Sequence, residues 1–82
     1  MPRYYFSCEG AQTFVDQVGT ELADIDTARL QAVENAAEIM RDNPASFARD
    51  GEWTMTVTEG GQVRILVTVR VEDVVRQGHR AE

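Results

Sequence analysis

The sequence predicts an α+β domain in the order β-β-α-β-β, with one main helix packed on one face of a mostly antiparallel four-stranded sheet. Three observations carry that expectation. An aromatic-rich alternating run opens the chain, helical periodicity fills its middle, and two alternating runs joined by a glycine pair follow.

Arg3 to Cys8 reads as the first strand, with Tyr4, Phe6 and Cys8 on one side and Arg3, Tyr5 and Ser7 on the other. Glu9-Gly10 is a turn signal. Gln12 to Asp16, with Thr13, Phe14 and Val15, reads as a short return strand. Gly19 then breaks the chain.

Asp24 to Asp42 has a helical pattern. Asp24 suits the N-cap, because its carboxylate can accept a bond from a free first-turn N–H. Asp26 lies in the first turn, where negative charge suits the helix dipole. At about 100° per residue, Ile25, Ala28, Ala32, Ala36 and Ile39 share a face, which Leu30, Val33, Ala37 and Met40 widen to one side. That wider arc has two readings: alanines tolerated on an exposed face, or a second contact seam of Leu30, Val33 and Ala37. Arg29 projects into the arc and either snorkels or pairs with a carboxylate. Asn43-Pro44 ends the helix. Asn43 is positioned to cap a short turn, Pro44 to Arg49, stopped by Gly51 and anchored by Phe47.

The last two strands give the clearest pattern. Trp53, Met55 and Val57 alternate with Glu52, Thr54, Thr56 and Thr58. Beyond Glu59-Gly60-Gly61, Val63, Ile65, Val67, Val69 and Val71 alternate with Arg64, Leu66, Thr68 and Arg70. Residues directly opposite share a face. A two-residue Gly60-Gly61 loop would set Val57 against Arg64, mixing the faces. A three-residue loop, Glu59 to Gly61, sets Val57 against Val63 and Met55 against Ile65, and is the expected turn, with Gly61 left-handed in a type I turn plus bulge. One domain, 1–76, and a disordered tail, 77–82, complete the expected organisation; the first strand could lie beside either strand of this hairpin.

Composition narrows the chemistry. In 82 residues there is one cysteine, Cys8, and one histidine, His79. No intrachain disulfide can form, and a zinc site needs more ligands in paired spacings. A chain this short has a marginal core, so self-association is the expected source of extra stability. The net charge is −6, and all eight basic residues are arginine. A lysine Schiff base and a phosphate-loop lysine are excluded. The average potential disfavours nucleic acid and anionic membranes. No apolar run is long enough for a signal peptide or membrane span, so the expected location is the cytoplasm.

His79 falls in the expected tail, Cys8 reads as a small core residue, and Glu21, Asp24 and Asp26 lack the spacing of a calcium loop. Gly60-Gly61 precedes no helix and is no phosphate loop. These observations support neither an enzyme nor a cofactor. The exposed sheet face is the more informative surface: Arg3, Tyr5, Arg64, Leu66 and Arg70 with a threonine row. Its readings are a solvated face, a protein contact, or a platform stacking a single-stranded base on Tyr5 beside Arg64 and Arg70. The expected role is a non-enzymatic interaction module whose partner is another copy or another protein. Its contact candidates are a strand edge, the Tyr5/Leu66 side of that face and the Leu30/Val33 seam. Binding of a small ligand or single-stranded nucleic acid through the arginine-bearing face is the alternative.

The opening Met1-Pro2-Arg3-Tyr4-Tyr5-Phe6, the segment Asp16-x-x-Gly19-Thr20-Glu21-Leu22-x-Asp24 and the alanine-rich helix led by Ala28 resemble a family of short bacterial proteins of unknown function. The resemblance covers most of residues 1–71. It implies a β-β-α-β-β fold in a small bacterial protein and transfers no catalytic or binding residue. More remotely, the strand-strand-helix order is similar to that of HicB-like antitoxins. This chain lacks their third strand before the helix and their C-terminal DNA-binding segment, so the likeness is one of topology.

Overall fold

The structure, a computed structural model, describes residues 1–75. The tail expected at 77–82, with His79, lies outside the described residues. The elements are β1 (Arg3–Gly10), β2 (Thr20–Glu21), α1 (Ile25–Asp42), α2 (Pro44–Asp50), β3 (Glu52–Glu59) and β4 (Gln62–Arg70). All strand pairs are antiparallel, in the order β2-β1-β3-β4. The first strand thus lies beside β3.

The expected return strand at Gln12 to Asp16 is displaced. In that segment Phe14 alone bridges β1, at Cys8, and the paired strand is Thr20–Glu21 against Tyr4 and Arg3. The reason is Asp16. Its Oδ2 accepts the Phe6 N–H at 3.0 Å, occupying the place a strand carbonyl would take. Side-chain acceptors of this kind compete with regular ladders. The outer edge of β1 is therefore satisfied by Phe14 main chain, then by the Asp16 carboxylate, then by β2.

The helix follows its pattern. Asp24 Oδ1 accepts the Thr27 N–H at 2.8 Å, and Ala28, Ala32 and Ala36 are buried. Three small side chains in a row let the helix backbone sit close to the sheet. Asn43 turns its amide back onto the Ile39 carbonyl at 2.9 Å, so its side chain does not cap α2. That short helix starts at Pro44, ends at the left-handed Gly51, and sets Phe47 against Trp53 with ring centroids 5.5 Å apart.

The core is the α1-facing side of β1 and β3: Tyr4, Phe6 and Cys8 with Trp53, Met55 and Val57. Sheet register extends two of its rows onto β4, as Phe6–Val57–Ile65 and Cys8–Met55–Val67.

The hairpin corrects the expected loop. Its turn is the two-residue one: Glu59 faces Gln62, and Gly60 and Gly61 both take positive φ, 58° and 78°. Two left-handed residues make the turn whose twist matches a hairpin, and glycine adopts them at little cost. The face mismatch of that loop is repaired one step later. Thr58 faces Val63 and Val57 faces Ile65, so Arg64 is the extra residue of a bulge. Val63 is thereby moved to the open face, 59% exposed. Of the expected buried series, Ile65, Val67 and Val69 are half-buried, and Val71 is exposed past the strand end. The helix approaches β3 and β4 most closely, and the aliphatic row of the edge strand β4 stays half-exposed beside it.

Candidate functional site

The open sheet face is built from rows that cross the sheet. Tyr5, Thr58 and Val63 form one, and Ser7, Thr56 and Leu66 the next. Thr54 and Thr68 pair beyond them. The candidate residues of this face are not brought together as one cluster. The Arg3 guanidinium donates to the Val18 carbonyl at 2.9 Å and pairs with Glu21 at 3.2 Å. Tyr5 is half-buried, and the chain at Gly19 passes directly over it. A Cβ at Gly19 would lie 2.8 Å from Arg3 Cγ and 3.0 Å from Tyr5 Cε2, with φ at +76°. That crossing is open to glycine alone. Arg64 pairs with Glu59, and Arg70 with Glu72 at 2.9 Å. Leu66 stands free at 62% exposure.

Arg64 is held by Glu59 beside the hairpin turn. Burial first, and then Glu59, push the Tyr4 phenol above its ordinary range, while the Arg64 charge opposes them. Tyr4 belongs to the core side of the sheet.

A second surface lies along β4. Among the described residues its outer edge is paired with no strand, and Ile65, Val67 and Val69 remain half-exposed beneath the flank of α1. Asn35 and Glu38 stand on the β1 side of the helix, since they share a cleft with Phe6, Cys8 and Asp16. Helical rotation then places Val33 and Met40 on the opposite flank, toward β4, with Leu30 farther round on the outer face of the helix. Leu30 is 60% and Val33 54% exposed. Val33, Met40 and the half-exposed aliphatic row of β4 thus lie on one side of the molecule.

The third feature is the cleft itself, about 390 Å³, between α1 and the 12–20 segment. Asp16 is its most constrained member. Partial burial works against its charge, and the N–H groups of Gly19, Phe6 and Val18 outweigh that, holding the carboxyl below the usual carboxylate range. Sequence reading missed this role. The Asp16-x-x-Gly19 spacing was the available signal, because an aspartate two or three residues before a left-handed glycine makes an Asx turn.

Side chains with chemical potential elsewhere have structural partners. Burial, only partly offset by Trp53 and the Phe14 main chain, pushes the Cys8 thiol up, so it is a poor nucleophile at neutral pH. Asp24 caps α1, and Asp26 holds Arg29 at 2.6 Å, which answers the question of the arginine in the arc. No group of three or more His, Cys, Asp or Glu able to hold a metal occurs among the described residues.

A family model described as Domain of unknown function (DUF6894) matches residues 3–73. The chain belongs to the DUF6894 family. The match runs from β1 past the end of β4 and takes in the 11–19 arch, the cleft and both helices. No curated protein and no solved structure matches this DUF6894 chain. No helix among its described residues is long and apolar enough to cross a membrane.

Proposed function

We propose that this DUF6894 chain is a non-enzymatic interaction module whose partner is a second copy of itself. The observation that carries this reading is the edge of β4, unpaired among the described residues, on the side of the exposed Val33 and Met40. Unpaired edges template strand addition, and apolar surface next to such an edge adds to the free energy of pairing. A two-fold axis perpendicular to the sheet at Val67 sets Ile65 beside the second copy's Val69, and the reverse. The half-buried aliphatic row then continues across the junction. Both helices fall on one side of the joined eight-stranded sheet, bringing their seams together.

The arginine-bearing face supports nucleic-acid binding less well. Arg3, Arg64 and Arg70 each carry a carboxylate partner, and Tyr5 lies under Gly19.

Sedimentation velocity across a dilution series, with hydrogen exchange on the same samples, tests the proposal. The expected result is a dimer whose Ile65–Arg70 amides lose protection on dilution while β3 amides keep theirs. Val33→Asp is expected to shift the equilibrium toward monomer by at least tenfold. A chain that stays monomeric up to about 1 mM, the weak end of specific association, overturns the reading.

A further inference from the structure

The cleft between α1 and the 12–20 segment lies on the flank opposite the β4 border. Its volume, about 390 Å³, falls within the range of small-molecule sites, roughly 300–1,000 Å³. Its composition is that of a site for a small amphiphile. The floor is apolar, made by Phe6, Cys8 and Met55, all buried members of the core. The wall is polar and carries one sign of charge: Asp16 from the loop and Glu38 from the helix, with no arginine among the lining residues.

The polar groups are set in place before any ligand arrives. Asp16 Oδ1 accepts from Val18 and Gly19, whereas Oδ2 accepts from Phe6, leaving Oδ2 with a free lone pair. The Gln31 amide donates to Asn35 Oδ1 at 2.8 Å, which fixes the Asn35 amide with its NH₂ as a donor. Among the described residues, the cation paired with Glu38 is Arg41, in a loose contact at 3.9 Å on the exposed helix surface. The held carboxylate of Asp16 and the exposed one of Glu38, at the rim of an apolar floor, favour a ligand with a hydrophobic body and a positive end.

We propose that this cleft binds a small organic cation, a protonated amine on a planar or aliphatic body, with the body on Phe6 and Met55 and the ammonium between Asp16 and Glu38. Because the cleft and the β4 border use different residues, ligand binding does not depend on self-association.

The test is a ¹⁵N-resolved NMR titration of the full chain with two probes of like shape and opposite charge, tryptamine and indole-3-propionate. Tryptamine is expected to shift the amides of Phe6, Gly19 and Asn35 saturably, and the carboxylate probe to bind at least tenfold more weakly. Glu38→Gln, at an exposed helix position, is expected to weaken tryptamine binding several-fold and to narrow the gap to indole-3-propionate, whose binding should strengthen or hold. Tryptamine should also slow modification of Cys8 by a thiol reagent. Equal response to both probes, saturable shifts confined to other parts of the chain, or no saturable shift with tryptamine each overturns the proposal. The Val33→Asp chain gives the same titration if the two readings are independent, so loss of dimerisation and loss of ligand binding are read separately.

Discussion

Asp16 decides how the first half of the chain is folded. Its carboxylate accepts N–H bonds from Phe6, Val18 and Gly19, and its own N–H donates to Ser7 Oγ at 3.1 Å. One side chain thus ties the arch to the strand it leaves. Removing it strands half-buried N–H groups, so Asp16→Ala is expected to cost about 2 kcal/mol in urea unfolding. Acid should act through the same group. The folded carboxyl titrates below its unfolded counterpart, so its contribution is complete above the unfolded value of about 3.9 and is lost as pH falls through the lower folded value. Asp24 follows the same sign, through the Thr27 N–H and hydroxyl that hold its charge. Unfolding free energy measured from neutral pH downward should therefore decline on the acid side, and Asp16→Asn should shrink that decline.

At the scale of elements, helix height over the sheet is set by alanine. Ala28 and Ala32 are fully buried and Ala36 nearly so, whereas Ala37 on the same helix is exposed. Ala32→Leu must lift α1 off Met55 and Val57 or distort it, an overpacking expected to cost about 1–3 kcal/mol. Ala37→Leu should be nearly neutral. Thermal unfolding of the pair checks the packing side of α1; equal effects would mean that the helix is rotated from the face described. The β3–β4 hairpin shows a different balance. Glycine at both turn positions selected a two-residue loop, and the strand absorbed the parity error at Arg64. Turn chemistry outweighed simple alternation, because a bulge costs little near the strand end while a poorly twisted turn strains both strands.

For the whole molecule, charge and edge act against each other. Two copies brought together each carry −6, a repulsion that salt screens. Self-association through β4 should therefore tighten when ionic strength rises from about 0.02 M to about 0.5 M. Binding to nucleic acid would weaken over the same range, because counterion release opposes it. Melting temperature should also rise with protein concentration, as it does when only the folded form associates. Sedimentation and thermal scans across salt and concentration check both outcomes.

Although the second strand lies later than its pattern indicated, the sequence by itself determined the β-β-α-β-β order, the Asp24 cap, the alanine face of α1, the stop at Asn43-Pro44 and the β3–β4 hairpin apart from its loop. Each of these is a local matter of periodicity or of a backbone group needing a nearby partner. Only the tertiary structure decided that β1 lies beside β3, that Gly19 crosses over Tyr5, that Asp16 stands in for a strand, and that Asn35 and Glu38 meet Asp16 across a cleft. Those pairings join residues that are far apart in sequence or related by no repeating interval. They follow from how the helix settles on the sheet and from which edge is left uncovered, and a one-dimensional pattern encodes neither.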